Sequence, residues 1–267
     1  MIIKLRMFMS KNILITGASS GIGKAVALEF AKRDGSKNHL ILVARNQAKL
    51  NGVAEEVRAL GASVSTFIAD LGKKEDIAKL FTKLEKEVQS LDLVLNNAGL
   101  GYVKEAIALS DDEVEQIIDV NVTGMILVAK KAASIMAKQG CGHIIFTSSL
   151  AGYVYLPTWS VYCASKWGIT TFANVLRQEV AKHGIKITTV HPGPVQTEFF
   201  DPNKANVDLK KSEGSMPAIP VEDVSKAIYE IAYTDTERIF CPPKLKMAAE
   251  MFRLFPKFMA KMFAKLT

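Results

Sequence analysis

Tyr162 and Lys166 stand four residues apart in a segment with helical apolar spacing, so their side chains share one face. A phenol and an ammonium so placed can move a proton. A tyrosine with its ordinary pKa of about 10 donates at neutral pH but recovers a proton poorly. A nearby positive charge stabilises tyrosinate and brings that value toward working pH. The spacing arises easily by chance, and its weight comes from its company. Ser149 lies thirteen residues before Tyr162 at the end of an apolar run, where its hydroxyl can donate to an oxygen gathering charge. Asn121, in Asn121-Val122-Thr123-Gly124, sits inside a helical pattern that Asn does little to favour. Asn96-Asn97-Ala98-Gly99 closes another apolar run. The bland alternatives are a buried Tyr with a satisfied hydroxyl, a Lys whose stem packs and a Ser that shapes a turn. Cys163 points off the Tyr162 face and reads as packing, and His191, before Pro192, reads as structural.

A second cluster of chemistry-bearing residues is glycine-rich. Thr16-Gly17-Ala18-Ser19-Ser20-Gly21-Ile22-Gly23 follows the first apolar run, and a helical pattern opens at once. Glycines at Gly-x-x-x-Gly-x-Gly let the chain turn tightly and bring backbone N–H groups against a pyrophosphate at a positive helix N-terminus. No Gly-Lys-Ser/Thr follows, so this is not a Walker A loop. An NAD site usually carries Asp or Glu about 20 residues further on to hold the ribose 2′-hydroxyl. That place holds Ala44 followed by Arg45. The missing carboxylate removes repulsion toward a 2′-phosphate, and a guanidinium can grip one bidentately. The spacing predicts NADP (NADPH), with NAD possible.

The elements that must position these residues alternate along the chain. Asn12–Thr16, His39–Ala44, Val64–Ala69, Leu91–Asn96, His143–Ser148, Ile185–His191 and Arg238–Cys241 are short, nearly continuous apolar runs, as expected of strands covered on both faces. Helical patterns fall at Gly21–Asp34, Gln47–Leu60, Lys73–Gln89, Asp111–Lys138, Trp159–His183 and Val221–Tyr233, with Asp111-Asp112 as a start signal and Gly184 as a stop. Such alternation implies a parallel α/β sheet with right-handed crossovers. Pro192 to Pro220 breaks the rhythm with five prolines. A loop this long inside a domain is usually functional, and residues 194–220, opening near Phe199-Phe200, would suit a substrate lid.

Composition bounds the answer further. The chain has 267 residues, 49% of them hydrophobic and 23% charged, which excludes a disordered, collagen-like or disulfide-rich secreted protein. Its three cysteines and four histidines are scattered, which speaks against zinc, any other metal and disulfides, and for a reducing, cytoplasmic setting. No uncharged apolar run reaches the roughly 18 residues of a spanning helix, and Met1–Ser10 reads as a short leader. The formal net charge is +7, yet Lys244, Lys246, Arg253, Lys257, Lys261 and Lys265 stand against Glu250 alone. The excess therefore belongs to a tail, which argues against a nucleic-acid face. Residues 1–243 read as a catalytic domain and 244–267 as a basic amphipathic extension. That extension could pack on the chain's own cleft or a neighbouring subunit, lie on an anionic membrane, or stay mobile.

Taken together, the glycine turn of residues 16–23, Asn96–Gly99, and Asn121, Ser149, Tyr162 and Lys166 in this order and spacing resemble the short-chain dehydrogenase/reductase family, over residues 10 to 241. The resemblance implies a Rossmann-type, doubly wound, seven-stranded parallel sheet and a nicotinamide cofactor. It places Asn121, Ser149, Tyr162 and Lys166 on the catalytic tetrad, with Lys166 also holding ribose hydroxyls and Asn121 fixing a water that links Lys166 to solvent. It puts Gly17, Ser19, Ser20, Gly21, Ile22, Gly23, Arg45, Asp70, Leu71, Asn97, Ala98, Gly99, Tyr162, Lys166, Pro192, Gly193, Val195 and Thr197 against the cofactor. It further implies a homodimer or homotetramer built on the helices of Asp111–Lys138 and Trp159–His183. Ser149, Tyr155, Trp159 and Phe199 are the expected substrate contacts, in a cleft without Arg or Lys to clamp an anion. The expected activity is hydride transfer between nicotinamide and an apolar ketone, aldehyde or alcohol. A non-catalytic nucleotide sensor and a membrane-associated reductase of lipid-like substrates stand as alternatives.

Overall fold

Seven Val-, Ile- and Leu-rich runs form parallel strands: β1 (Lys11–Thr16), β2 (Asn38–Ala44), β3 (Ser63–Ile68), β4 (Leu93–Asn96), β5 (Gly142–Thr147), β6 (Ile185–Pro192) and β7 (Arg238–Cys241). The computed structural model describes residues 11–88, 90–200 and 217–263. The leader and residues 201–216 of the expected lid lie outside them. The sheet order is β3-β2-β1-β4-β5-β6-β7. Alternate residues of a strand point to opposite faces, and both faces here are apolar. On β1, Leu14 joins one core layer, and Ile13 and Ile15 join the other. Burying each such side chain stabilises by roughly 1.5–3 kcal/mol.

Helices cover both faces. α1 (Gly21–Asp34), α2 (Gln47–Ala59) and α7 (Val221–Ile231) close one layer with Val26, Phe30, Val53, Val57 and Ile228. α3 (Lys74–Glu87), α5 (Met125–Gln139) and α6 (Ser160–Val180) close the other with Ile77, Phe81, Val128, Met136 and Ile169. The short α4 (Asp111–Ile118) begins on a capping box, Ser110 accepting from the Glu113 N–H and Glu113 reaching back, and so starts one residue after the cap that Asp111-Asp112 only hinted at.

The single helix expected over Asp111–Lys138 is instead broken. Residues Asp119–Gly124 form a π-helical turn between α4 and α5. Its residues are held by segments distant in sequence. The Asn121 amide is drawn to the backbone of Leu100, and a Cβ on Gly124 would lie 2.2 Å from the Leu71 carbonyl oxygen. Such turns gather at functional sites. The stretch Asp111–Gln139 is long and apolar enough by composition to cross a membrane, which the uncharged-run criterion missed, but α5 seats its apolar face on the sheet.

Beyond β7, α8 (Leu245–Leu254) and α9 (Pro256–Phe263) pair with each other. Leu245, Ala249, Phe252 and Met259 pack on Leu150, Val154 and Phe240 of the same chain.

Candidate active site

The chain leaves β1 toward β2 on one side, while β4 and its successors extend from the other. The sheet thus has its switch point at the carboxyl ends of β1 and β4, where ligands of open α/β sheets gather. A cleft of about 430 Å³ opens there. Its walls include Gly17, Ser19, Ser20, Gly21, Ile22, Arg45, Asp70, Leu71, Asn97, Ala98, Gly99, Ser149, Tyr162, Lys166, Pro192, Gly193, Val195, Thr197 and Phe199. Residues scattered over 180 positions of sequence therefore share one space.

The glycine turn is built for close backbone approach. Gly17 has φ +67°, and a Cβ there would stand 3.0 Å from Ala98 Cα. Gly21 has φ +52°, facing Thr197. Ser20 caps α1 without a side-chain bond, and the first turn holds no acidic residue, so its N–H groups are available to an anion. Gly23 differs from the expectation. It is buried under the turn, where a Cβ would stand 2.3 Å from the Gly17 carbonyl oxygen, so it serves helix packing rather than lining the cleft. Thr16, not singled out from the sequence, fastens the switch point. Its hydroxyl accepts from the Asn97 and Ala98 N–H groups at 2.8 and 3.0 Å, and the Asn97 amide donates to the Thr16 carbonyl at 3.0 Å.

At the far end of the cleft, Arg45 is exposed beside Asn46 and Lys49. Among the described residues Arg45 makes no ion pair, whereas Lys49 reaches across to Glu198 at 2.8 Å. Lys49 carried no sequence signal beyond its proximity to Arg45. The open N–H groups, the glycine cradle and these cations fit a dinucleotide phosphate.

Ser149 follows β5 and accepts from the Ala151 N–H at 3.1 Å, leaving its own proton to donate. It shares a hydrogen bond with the Tyr162 hydroxyl. The Tyr162 ring is held edge-on by Trp159, with centroids 5.5 Å apart, and by Phe199 at 6.0 Å. Lys166 Nζ lies 5.6 Å from the centroid of that ring and donates to the Thr147 carbonyl at 3.0 Å. Both residues are buried, at 6% and 2% exposure. Burial pushes the Tyr162 phenol well above its ordinary range, with the Ser149 bond opposing it, and lowers Lys166 to about 8. The expectation that Lys166 brings the phenol's pKa down toward working pH is not met here: burial raises it, and the ammonium donates to the Thr147 carbonyl.

Asn121 stands behind the wall rather than in it. Its Oδ1 accepts from Leu100 N–H at 2.9 Å, and its amide donates to the Leu100 carbonyl at 2.8 Å and to Ser165 Oγ at 3.1 Å. A Cβ on Gly99 would lie 3.1 Å from Asn121 Oδ1 and 3.6 Å from Lys166 Nζ, so the two side chains flank one glycine. Tyr155 does not line the cleft. Its ring stacks on Trp167 and meets Phe252 edge-on, which turns it toward the C-terminal helices. Among the described residues Trp159 lies outside the lining too, its ring meeting Tyr162 edge-on. Cys163 is buried beside Tyr162 with its thiol pushed up, as packing requires. His191 is buried between Tyr153 and Phe240, with Nδ1 at 3.2 Å from the Ser149 carbonyl. Burial depresses it to about 3, so it stays neutral.

Known proteins match this arrangement. The family described as short chain dehydrogenase matches residues 11–208. Human estradiol 17-beta-dehydrogenase 11 is 32% identical over 249 residues, covering 92% of this chain and 79% of that protein. An uncharacterized oxidoreductase of Listeria monocytogenes is 37% identical over 212 residues, covering 79% and 83% of the two chains. A short-chain dehydrogenase from Sphingobium yanoikuyae, solved in complex with NADPH, superposes with a TM-score of 0.80 at 27% identity and 94% coverage of both chains. The sheet order, the cleft at its switch point and these matches agree: the chain belongs to the short-chain dehydrogenase family and is an oxidoreductase acting on CH–OH groups.

Proposed function

We propose that the protein is an NADPH-dependent reductase of apolar ketones or aldehydes, able to run in reverse as a secondary alcohol dehydrogenase. The observation that carries this reading is the meeting of Ser149, Tyr162 and Lys166 in the same cleft as the glycine turn and Arg45. When bound, the nicotinamide supplies or accepts the hydride. Arg45 and Lys49 would hold the 2′-phosphate, the N–H groups of the Ser20–Ile22 turn the pyrophosphate, and Lys166 the ribose hydroxyls.

The chain's own residues handle the proton. Negative charge developing on the substrate oxygen is met by the Ser149 and Tyr162 hydroxyls, and Tyr162 gives up its proton. Its raised pKa keeps the phenol protonated, the form that carbonyl reduction consumes. Lys166 carries its charge below about pH 8 and opposes the phenolate left behind. The Asn121 side chain is committed to Leu100 and Ser165, so the relay water expected there would meet its backbone within the π turn. Phe199 and the ring face of Tyr162 favour an apolar substrate, and the relative named for estradiol acts on an apolar alcohol by that name. Assembly as a dimer or tetramer through α4, α5 and α6 is part of the proposal, and light scattering would report its mass.

Consumption of NADPH and of NADH over aliphatic, aromatic and steroid-like carbonyls tests the reading. Turnover of apolar ketones with NADPH preferred is expected. Cofactor binding without turnover of any carbonyl or alcohol would favour the nucleotide-sensing alternative.

A further inference from the structure

Helix α8 is apolar on two opposite sides. Leu245, Ala249 and Phe252 face inward against the loop that follows Ser149. At about 100° per residue, Met247, Met251 and Leu254 fall on the other side. Their spacing of i, i+4 and i+7 is that of a buried stripe. They are nevertheless 74%, 37% and 56% exposed. Phe255 and Phe258 prolong the patch at 55% and 64% exposure, while Met259 turns inward. Single exposed apolar residues are ordinary, but a run of five within twelve positions marks an interaction surface.

Charge decides the partner. Lys244, Lys246, Arg253, Lys257 and Lys261 are exposed around these side chains. Glu250, the one acidic residue of 244–263, is held by Arg253 at 2.8 Å and Arg238 at 3.5 Å. A two-fold contact between copies would set these cations against their own counterparts. An anionic bilayer instead takes lysines among its headgroups and aromatic and Met side chains at the acyl boundary. We infer that the outer face of α8 and α9 is a peripheral docking surface for an anionic lipid bilayer. Docking there holds the protein by the helices that support the Ser149 loop, and it places an apolar-substrate enzyme where such substrates partition.

Sedimentation of the full chain with phosphatidylcholine vesicles, with and without phosphatidylserine, tests the inference. Binding should rise at least about tenfold with the anionic lipid and weaken with salt. Leu254→Asp/Phe258→Asp, and separately Lys246→Glu/Lys257→Glu, should each cost about tenfold or more in vesicle binding. Their thermal melting and NADPH binding should be unchanged, since these side chains lie outside the core. A chain that stays in the supernatant, that ignores lipid charge, or that binds equally after both double substitutions would overturn it. So would light scattering in which Leu254→Asp/Phe258→Asp halves the particle mass, because the face would then join subunits.

Discussion

Replacing Tyr162 with Phe removes one oxygen and little else. The ring remains clamped by Trp159 and Phe199, and among the described residues the hydroxyl's loss removes the hydrogen bond shared with Ser149. One net hydrogen bond is worth about 1 kcal/mol, or about 2–4 °C in Tm for a chain of this size. A positioned general acid contributes about 10²- to 10⁴-fold in rate, equal to about 3–5 kcal/mol of barrier. The two effects separate cleanly. With a carbonyl that wild type reduces, kcat/KM for Tyr162→Phe should drop by about two to four decades. Fluorescence titration with NADPH should give an unchanged constant, and the melting curve should move by only the few degrees above. A variant that turned over within a factor of about three of wild type would refute the proton-donor role, because a group worth two decades cannot vanish unnoticed. A variant that lost cofactor binding as well would show the ring, rather than its hydroxyl, to be the essential part.

Other consequences can be measured alongside. Arg45→Ala should weaken NADPH by about tenfold while NADH holds, and equal losses would remove the basis for the cofactor preference. Gly17→Ala forces a side chain into φ +67° and against Ala98, so it should cost about 1–2 kcal/mol in chemical denaturation and weaken dinucleotide binding. Because Lys166 is lowered to about 8, kcat/KM for reduction should hold below that pH and fall above it, as the ammonium is lost. His143 and His191 are depressed to about 4 and about 3, so the unfolded chain binds more protons than the folded one below about pH 6.5. Their contribution to stability is present above that value and lost as pH falls toward 4 and 3. His143→Gln, which keeps a partner for Thr188, should flatten the acid loss measured by urea denaturation between pH 6.5 and about 4.

Much of this was written in residue types and spacing. The seven apolar runs became strands within two residues at each end, because strands covered on both faces leave an unbroken apolar signal. β3 shows the limit of that rule: it is an edge strand, and Ile68 at its end is half exposed. Glycine spacing pointed to the turn but could not divide labour within it, since Gly21 faces the cleft and Gly23 only packs. The π turn was invisible because an Asn in a helical pattern does not announce that Leu100, twenty-one residues earlier, will claim its amide. Tyr155 was misplaced for a similar reason. It lies between Ser149 and Tyr162, which both line the cleft, but its ring is captured by Trp167 and Phe252, and Phe252 lies almost a hundred residues further on.

The same logic explains why proximity of Tyr162 and Lys166 along a helix did not fix their electrostatics. Burial acts on both in one sense, holding each toward its neutral form. Spacing reports that two side chains share a face, whereas the pKa depends on what each is pointed at. Lys166 is aimed at the Thr147 carbonyl, at the end of β5, and Ser149 is the group that touches the phenol. A high pKa is no handicap to an acid whose acceptor is a nascent alkoxide, a stronger base than tyrosinate. In the proposed reaction the demand on Lys166 would therefore come after the proton has gone, when a phenolate would stand in a site that disfavours charge. At that moment the phenolate's own charge would raise the affinity of Lys166 for its proton, and each ion would make the other tolerable.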